Sequence, residues 1–189
     1  MNIAANLFDA HSVVGDLGLI GILAIIFAET GLLIGLAFPG DSLLFVAGVA
    51  ASGSGAAILG GAHLKAAPLF IGAPFAAIIG AQVGHMLGAI FGRTLFDRPD
   101  GRIFNQQRVA STEKWLLKYG VGRALVLSRF IPVIRTLINP MAGITHISTK
   151  RFFMWNALGG VLWTELVLGI GYVVGELSLI HISEPTRPY

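Results

Sequence analysis

Two long stretches of the chain are almost free of charged side chains. Residues 66–92 and 152–174 are apolar over enough length to cross about 30 Å of hydrocarbon at about 1.5 Å per helical residue. Each is therefore predicted to be a spanning helix. The first carries glycines at spacings of four and eight, namely Gly72, Gly80, Gly84, Gly88 and Gly92. Because small residues let a second helix approach closely, we expect tight packing along this stripe.

Two other apolar stretches are interrupted by proline. Residues 17–52 are broken at Pro39 and Gly40, and the returning part is too short to span a membrane alone. Residues 121–147 are broken in the same way at Pro132, which removes a backbone donor and disfavours helical geometry just before it. We interpret both as re-entrant helical hairpins. A simple spanning helix to about Ala37 is the alternative for the first.

The composition supports a membrane protein. Hydrophobic residues make up 54% of the chain and charged residues 12%, with no cysteine and a net charge of +3. A chain this apolar uses its basic residues for orientation and for anionic lipid, so no nucleic-acid partner is predicted. Without cysteine there is neither a disulfide framework nor a thiolate metal site, and we predict no cofactor and no metal.

The basic residues predict the orientation of the chain. Residues 93–123 hold seven positive side chains and are therefore assigned to the cytoplasmic side. The second hairpin then enters from the cytoplasm, and the first, beyond the helix 66–92, enters from outside. The predicted fold is an all-α membrane protein in which hairpin, span, hairpin and span form an inverted-topology repeat.

The two ends are interpreted separately. Residues 1–16 have no positive side chain ahead of an apolar core, which favours an interfacial segment over a cleaved signal. Residues 179–189 are unlike the preceding chain and are similar to translated adapter sequence. We predict that they are a non-native tail without function, and that the natural protein continues beyond about Glu176.

The ionisable residues inside apolar stretches are the candidate chemistry. They are Glu29, Asp41, Arg129, Arg135 and Glu165. Arginine at the bilayer centre costs about 2.5–3.5 kcal/mol on insertion scales, so both arginines need partners or water. Arginine also matches phosphate with two parallel donors, and a carboxylate in a poorly hydrated cavity carries a proton near neutral pH. These arginine and carboxylate side chains together predict a site that holds an anionic head group and exchanges it against protons.

Two questions stay open at this level. Continuous helix would separate Glu29 from Pro39 by about 15 Å, so the site holds Glu29 only if the chain loosens near Gly31 or the helix tilts. Glu165 and His85 are secondary candidates for proton transfer, and His85 is equally suited to hydrogen-bonded packing. An alternative for the charges is purely structural pinning of the two hairpins.

A lipid phosphatase is the enzymatic alternative. It would need a nucleophile with a base, or a metal cluster, and the histidines lie far apart with no HExxH spacing. The residues therefore favour a protein that is not an enzyme. A homodimer is left open.

Several short motifs together resemble the DedA family, the bacterial branch of the VTT or SNARE-associated membrane proteins. The similarity runs from about residue 17 to 176 and is carried by Phe27-Ala-Glu-Thr-Gly31, Phe38-Pro-Gly-Asp-Ser42, Ser128-Arg-Phe-Ile-Pro-Val-Ile-Arg135, Ala142-Gly143, Phe152, Asn156, Gly159, Trp163 and Gly171-Tyr172. The sequence departs from the family at His85, since relatives typically have an aspartate after the glycine there.

The resemblance implies a lipid transporter of the bacterial cytoplasmic (inner) membrane. Its implied cargo is undecaprenyl phosphate or a phospholipid, moved between leaflets with proposed proton coupling. By position, Glu29 and Asp41 resemble the family's essential acids, and Arg129 and Arg135 its essential arginines. The implied partners are membrane lipids with an anionic head group, and protons.

Overall fold

All regular secondary structure in the described part of the chain is helical. The computed structural model describes residues 10–31, 40–53, 64–96, 114–116, 118–145 and 147–182. The helices that carry the site are α1 (Ala10–Gly31), α2 (Gly40–Ala51), α3 (Ala66–Phe96), α4 (Val121–Ser128), α5 (Pro132–Ile144) and α6 (Thr149–Ile182).

Helices α3 and α6 are the two long apolar helices that the sequence predicts. Ala66–Gly92 and Thr149–Leu177, of 27 and 29 residues, are long and apolar enough to cross a membrane. The first agrees with the predicted 66–92, and the second extends the predicted 152–174 at both ends. Helix α6 then continues to Ile182, into the segment predicted to be non-native.

Helices α1 and α2 lie in the stretch that the sequence predicts to be the first hairpin. Helix α1 begins at Ala10, before the predicted boundary at residue 17, so the described end of the predicted interfacial segment belongs to the same helix. Residues 32–39, with Pro39, lie outside the described residues. Helix α2 has 12 residues, or about 18 Å, which is shorter than a membrane crossing.

Helices α4 and α5 are separated by a short break. Helix α4 ends at Ser128, and Ile131 has extended backbone with φ −118° before Pro132 begins α5. Proline is suited to the first position of a helix, where its missing N–H would lack an intrahelical partner in any case. The predicted connector 93–123 lies largely outside the described residues.

Each long helix packs against one arm of each predicted hairpin. Helix α3 contacts α1 and α5, whereas α6 contacts α2 and α4, and α3 also packs on α6. The glycine stripe of α3 makes the predicted close approach possible, since a Cβ at Gly80 would overlap Thr30 of α1 and one at Gly88 would overlap the Pro140 backbone of α5.

Helix α6 uses glycine in the same way. A Cβ at Gly171 would overlap the Phe45 carbonyl oxygen of α2. Nearer the start of α6, one at Gly159 would come within 3.1 Å of the Val126 Cα of α4.

The outer faces of the long helices are apolar. Large exposed hydrophobic side chains on α3 include Ile71, Phe75, Ile79, Met86 and Ile90, and those on α6 include Met154, Leu158, Leu162, Leu166 and Ile170. Several polar and charged side chains are buried instead, among them Glu29, His85, Arg129, Arg135 and Asn156. An apolar exterior around a polar interior is what hydrocarbon surroundings require.

Candidate functional site

Arg135 joins the two acids of the first predicted hairpin. Its Nη2 donates to Glu29 Oε1 and its Nη1 donates to Asp41 Oδ1, so one guanidinium forms two ion pairs. Glu29 lies near the end of α1, Asp41 in the first turn of α2, and Arg135 in the first turns of α5. Three short segments, far apart in the chain, therefore meet at one cation.

This cluster lies at the middle of both long helices. Gly80, near the centre of the α3 span, packs against Phe27 and Thr30 beside Glu29. Trp163, at the centre of the α6 span, holds its ring 4.7 Å from the Arg135 guanidinium carbon in a cation–π contact. The Arg135 ion pairs are thus about equally far from the two ends of each candidate span.

The depth of Glu29 is decided by its contact with α2. Its carboxylate lies where a side chain on Gly40 would project, which requires glycine at the first residue of that helix. Glu29 therefore lies beside Gly40 and joins the cluster.

The two acids have different exposure. The Glu29 side chain is 2% exposed and the Asp41 side chain 44% exposed, while Arg135 is 8% exposed. Glu29 Oε2 is buried and has no hydrogen-bond partner among the described residues. The cluster is therefore closed around Glu29 and open at Asp41.

Arg129 has a different partner. Its Nη2 donates to Asn156 Oδ1, and in the described part of the chain it forms no ion pair. The Asn156 amide nitrogen in turn donates to the Ile78 carbonyl oxygen of α3 over 3.0 Å. The structure thus joins three of the four predicted charges directly, and holds Arg129 through an asparagine.

A second asparagine connects the arms that carry Glu29 and Arg135. Asn139 lies one turn after Arg135 on α5, and its amide nitrogen donates to the Thr30 carbonyl oxygen over 3.0 Å. Asn139 is a polar residue within an apolar run, which is the sequence feature that marks it, and it was not among the predicted site residues. Asn156 and Trp163 entered only through the family resemblance, with no role assigned.

The secondary candidates lie apart from the Arg135 ion pairs. His85 is buried, donates a 3.0 Å hydrogen bond from Nε2 to the Ile147 carbonyl oxygen, and stacks on Phe152 with ring centroids 4.4 Å apart. Glu165 is partly exposed on α6 and makes no ion pair with another described residue. Neither side chain bonds to Arg135.

The two arginines are the groups in this arrangement whose chemistry suits an anion. Among the described residues, no group of three or more histidine, aspartate or glutamate side chains is placed to hold a metal ion. The two arginines supply parallel N–H donors in a largely buried environment, which is the geometry that recognises carboxylate or phosphate.

The fold and the cluster define an all-helical membrane protein in its described part, with buried charges level with the middle of both candidate spans. The VTT domain model matches residues 19–173. Protein DedA of Escherichia coli (strain K12) is 36% identical over 157 residues, covering 83% of this chain and 68% of that protein. An uncharacterised membrane protein of Mycobacterium tuberculosis (strain ATCC 25618 / H37Rv) is 34% identical over 179 residues, covering 92% and 73%.

The chain therefore belongs to the DedA family of VTT-domain membrane proteins. A further relative, an uncharacterised membrane protein of Mycobacterium leprae (strain TN), is 32% identical over 84% of this chain and 67% of its own length. No solved structure matches the chain.

Proposed function

We propose that this protein moves a phosphate-bearing lipid, undecaprenyl phosphate or a phospholipid, between the leaflets of the bacterial cytoplasmic membrane, as a transporter rather than an enzyme. The observation that carries the proposal is the pair of ion pairs from Arg135 to Glu29 and Asp41 at the middle of both long helices. A buried ion pair is weak evidence for stability, because desolvation offsets much of its Coulomb energy. A functional use of these charges accounts better for their presence.

The proposed substrate contact replaces one of these ion pairs. Asp41 is the accessible partner of Arg135, whereas Glu29 is enclosed. A lipid phosphate that enters on the Asp41 side competes for Nη1, while Nη2 remains on Glu29. Glu29 and Asp41 are the acids to which we assign the proposed proton coupling, because both compete with the phosphate for the Arg135 guanidinium.

The proposal includes the re-entrant hairpins and the inverted repeat. Two-fold pseudosymmetry would exchange α1 with α4, α2 with α5 and α3 with α6. The packing supports it, because α1 lies on α3 as α4 lies on α6, and α2 lies on α6 as α5 lies on α3. Asp41 and Arg135 lie near the tips of the two proposed hairpins. If each hairpin crossed the whole membrane, these tips would lie on opposite faces, and the ion pair between Asp41 and Arg135 would not form.

A structural role is the second candidate function. The ion pairs are complete without a ligand, which is what a protein that only pins its hairpins together would need. Such a protein requires the attraction between the charges but not their individual positions. The two candidates therefore differ in their response to an exchange of the charges.

The test is leaflet exchange in proteoliposomes, with fluorescent phosphatidylglycerol and a fluorescent polyprenyl phosphate as alternative probes. We expect Arg135→Ala and Asp41→Asn to lose most of the activity, while Arg151→Ala, which removes an exposed arginine of α6, keeps it. Wild-type rates in both site variants would refute the transport site. If the double variant Asp41→Arg, Arg135→Asp restores leaflet exchange, ion pairing that holds the hairpins together explains the cluster.

A further inference from the structure

The side chain of Gln82 is a buried amide without a partner. Neither its Oε1 nor its Nε2 is accessible to solvent, and neither is hydrogen-bonded to any residue in the described part of the chain. Buried amides are almost always hydrogen-bonded, since leaving one unpaired is destabilising. An unpaired amide in the interior of α3 therefore needs an explanation that the Arg135 ion pairs do not supply.

The packing of α3 against α6 locates Gln82. Ile78 of α3 lies beside Gly160, and His85 stacks on Phe152, so the two helices run antiparallel. Residues 78, 82 and 85 share one face of α3 by helical periodicity. Gln82 therefore faces α6 at the level of Asn156, halfway between the two contacts.

Asn156 holds the Arg129 guanidinium at this level. Its carbonyl oxygen accepts from Arg129 and its amide nitrogen donates to the Ile78 carbonyl oxygen, so both ends of the side chain are occupied. Asn156 is thus a positioning residue that fixes Arg129.

Two sets of unused donors remain at this level. Arg129 is buried, has five N–H groups and makes one side-chain hydrogen bond within the described residues. The Gln82 Nε2 has two N–H groups and no acceptor. A buried cation beside unused N–H groups requires an anionic oxygen.

We propose that Gln82 is a ligand-contacting residue, which donates from Nε2 to a phosphate oxygen of the lipid while that phosphate is held by Arg129. This deepens the proposed function and rests on it. Arg135 is paired with two carboxylates but is accessible on the Asp41 side, so it receives the head group first. Arg129, with Gln82 and without a carboxylate, holds it at an inner subsite.

The test separates ligand contact from a structural role by measuring two quantities on one variant. Gln82→Met has similar volume and removes only the amide. Because the unpaired amide destabilises the free protein, we expect an unchanged or higher Tm in detergent. We also expect affinity for dioctanoyl phosphatidic acid, measured by titration calorimetry, to fall about tenfold or more, as for a lost hydrogen bond to a charged group.

Thr164→Val is the matched control. Thr164 is buried on α6, and its hydroxyl donates to the Gly160 carbonyl oxygen of its own helix. The affinity of the Thr164→Val protein for the probe should therefore equal that of the wild type. Wild-type affinity in Gln82→Met overturns the Gln82 contact while leaving the proposed function intact, provided that Arg135→Ala weakens binding. If the wild type and Arg135→Ala bind equally, or neither binds, the proposed function fails as well.

Discussion

Glu29 and Arg135 lie 106 residues apart in the chain, and their side chains form an ion pair in the interior of the protein. Glu29 is at the end of one helix and Arg135 near the start of another, and both helices pack on α3. The pair therefore reports directly on how the two halves of the chain meet. It also determines which substitutions should be most damaging.

The geometry of the Arg135 side chain should matter as well as its charge. Arg135→Lys keeps one positive charge but replaces the planar fork by a single ammonium, which does not match two carboxylates or a phosphate in the same way. We expect about tenfold slower leaflet exchange for Arg135→Lys and about 100-fold slower exchange for Arg135→Ala. Full activity in Arg135→Lys would show that charge alone is sufficient.

The two acids should differ in their effect on stability. Glu29→Gln removes the enclosed partner of a buried arginine, and we expect a loss of about 3–5 kcal/mol. Asp41→Asn removes a half-exposed partner, and we expect a loss of at most about 1 kcal/mol. Thermal unfolding of both variants in the same detergent measures the difference, and equal losses would contradict the assigned enclosure of Glu29.

The contact between α3 and α5 depends on the absence of a side chain at Gly88. Gly88→Ala places a Cβ against the Pro140 carbonyl oxygen, which cannot move without shifting α5, and we expect a loss of about 1–3 kcal/mol. Gly169→Ala on α6 is the control, since nothing lies within 4 Å of its Cβ position. A Gly88→Ala protein with wild-type stability and normal leaflet exchange would show that α3 and α5 pack less closely than this contact requires.

Single cysteines test the proposed inverted topology, because the chain has no native cysteine. A membrane-impermeant maleimide should label Ser148→Cys and Lys114→Cys from one face and Gly53→Cys from the other, since α3 crosses the membrane between them. All three positions are exposed. Labelling of Gly53→Cys from the same face as Ser148→Cys would refute the assignment.

The break between α4 and α5 provides a further control in the same experiment. Ile131→Cys lies at the tip of the proposed second hairpin and should react slowly from either face. Fast labelling from the Gly53 side would mean that α4 crosses the membrane, and the hairpin would then be excluded.

The long helices could be predicted from the sequence because hydrocarbon imposes a minimum length. The predicted helix 66–92 and the span Ala66–Gly92 agree, since composition alone identifies where an apolar run begins and ends. The glycine stripe likewise predicted close packing without a partner, and the structure supplies α1 and α5 as the partners. The start of α1 was less predictable, because residues 10–16 mix polar and apolar side chains ahead of the apolar run.

The individual roles of the buried charges could not be predicted in this way. The sequence places Asp41, Arg129 and Arg135 within three residues of a proline but Glu29 ten residues from one, so it leaves open whether the site holds four charges or three. In the structure, Arg135 takes both acids and Arg129 is bound by Asn156. Pairing depends on rotamers and on which helix faces which, and neither quantity is encoded in local spacing.

By itself, the sequence determined the class of protein, the two spans and the identity of the costly charges, because these follow from transfer free energies that each residue carries with it. Only the tertiary structure decided the depth of Glu29 and the partner of Arg129. Both result from the approach of α2 to α1 and of α6 to α3, where Gly40 leaves room for a carboxylate and Asn156 bridges two helices. Such contacts join residues that are distant in the chain, and they exist only once the helices have packed.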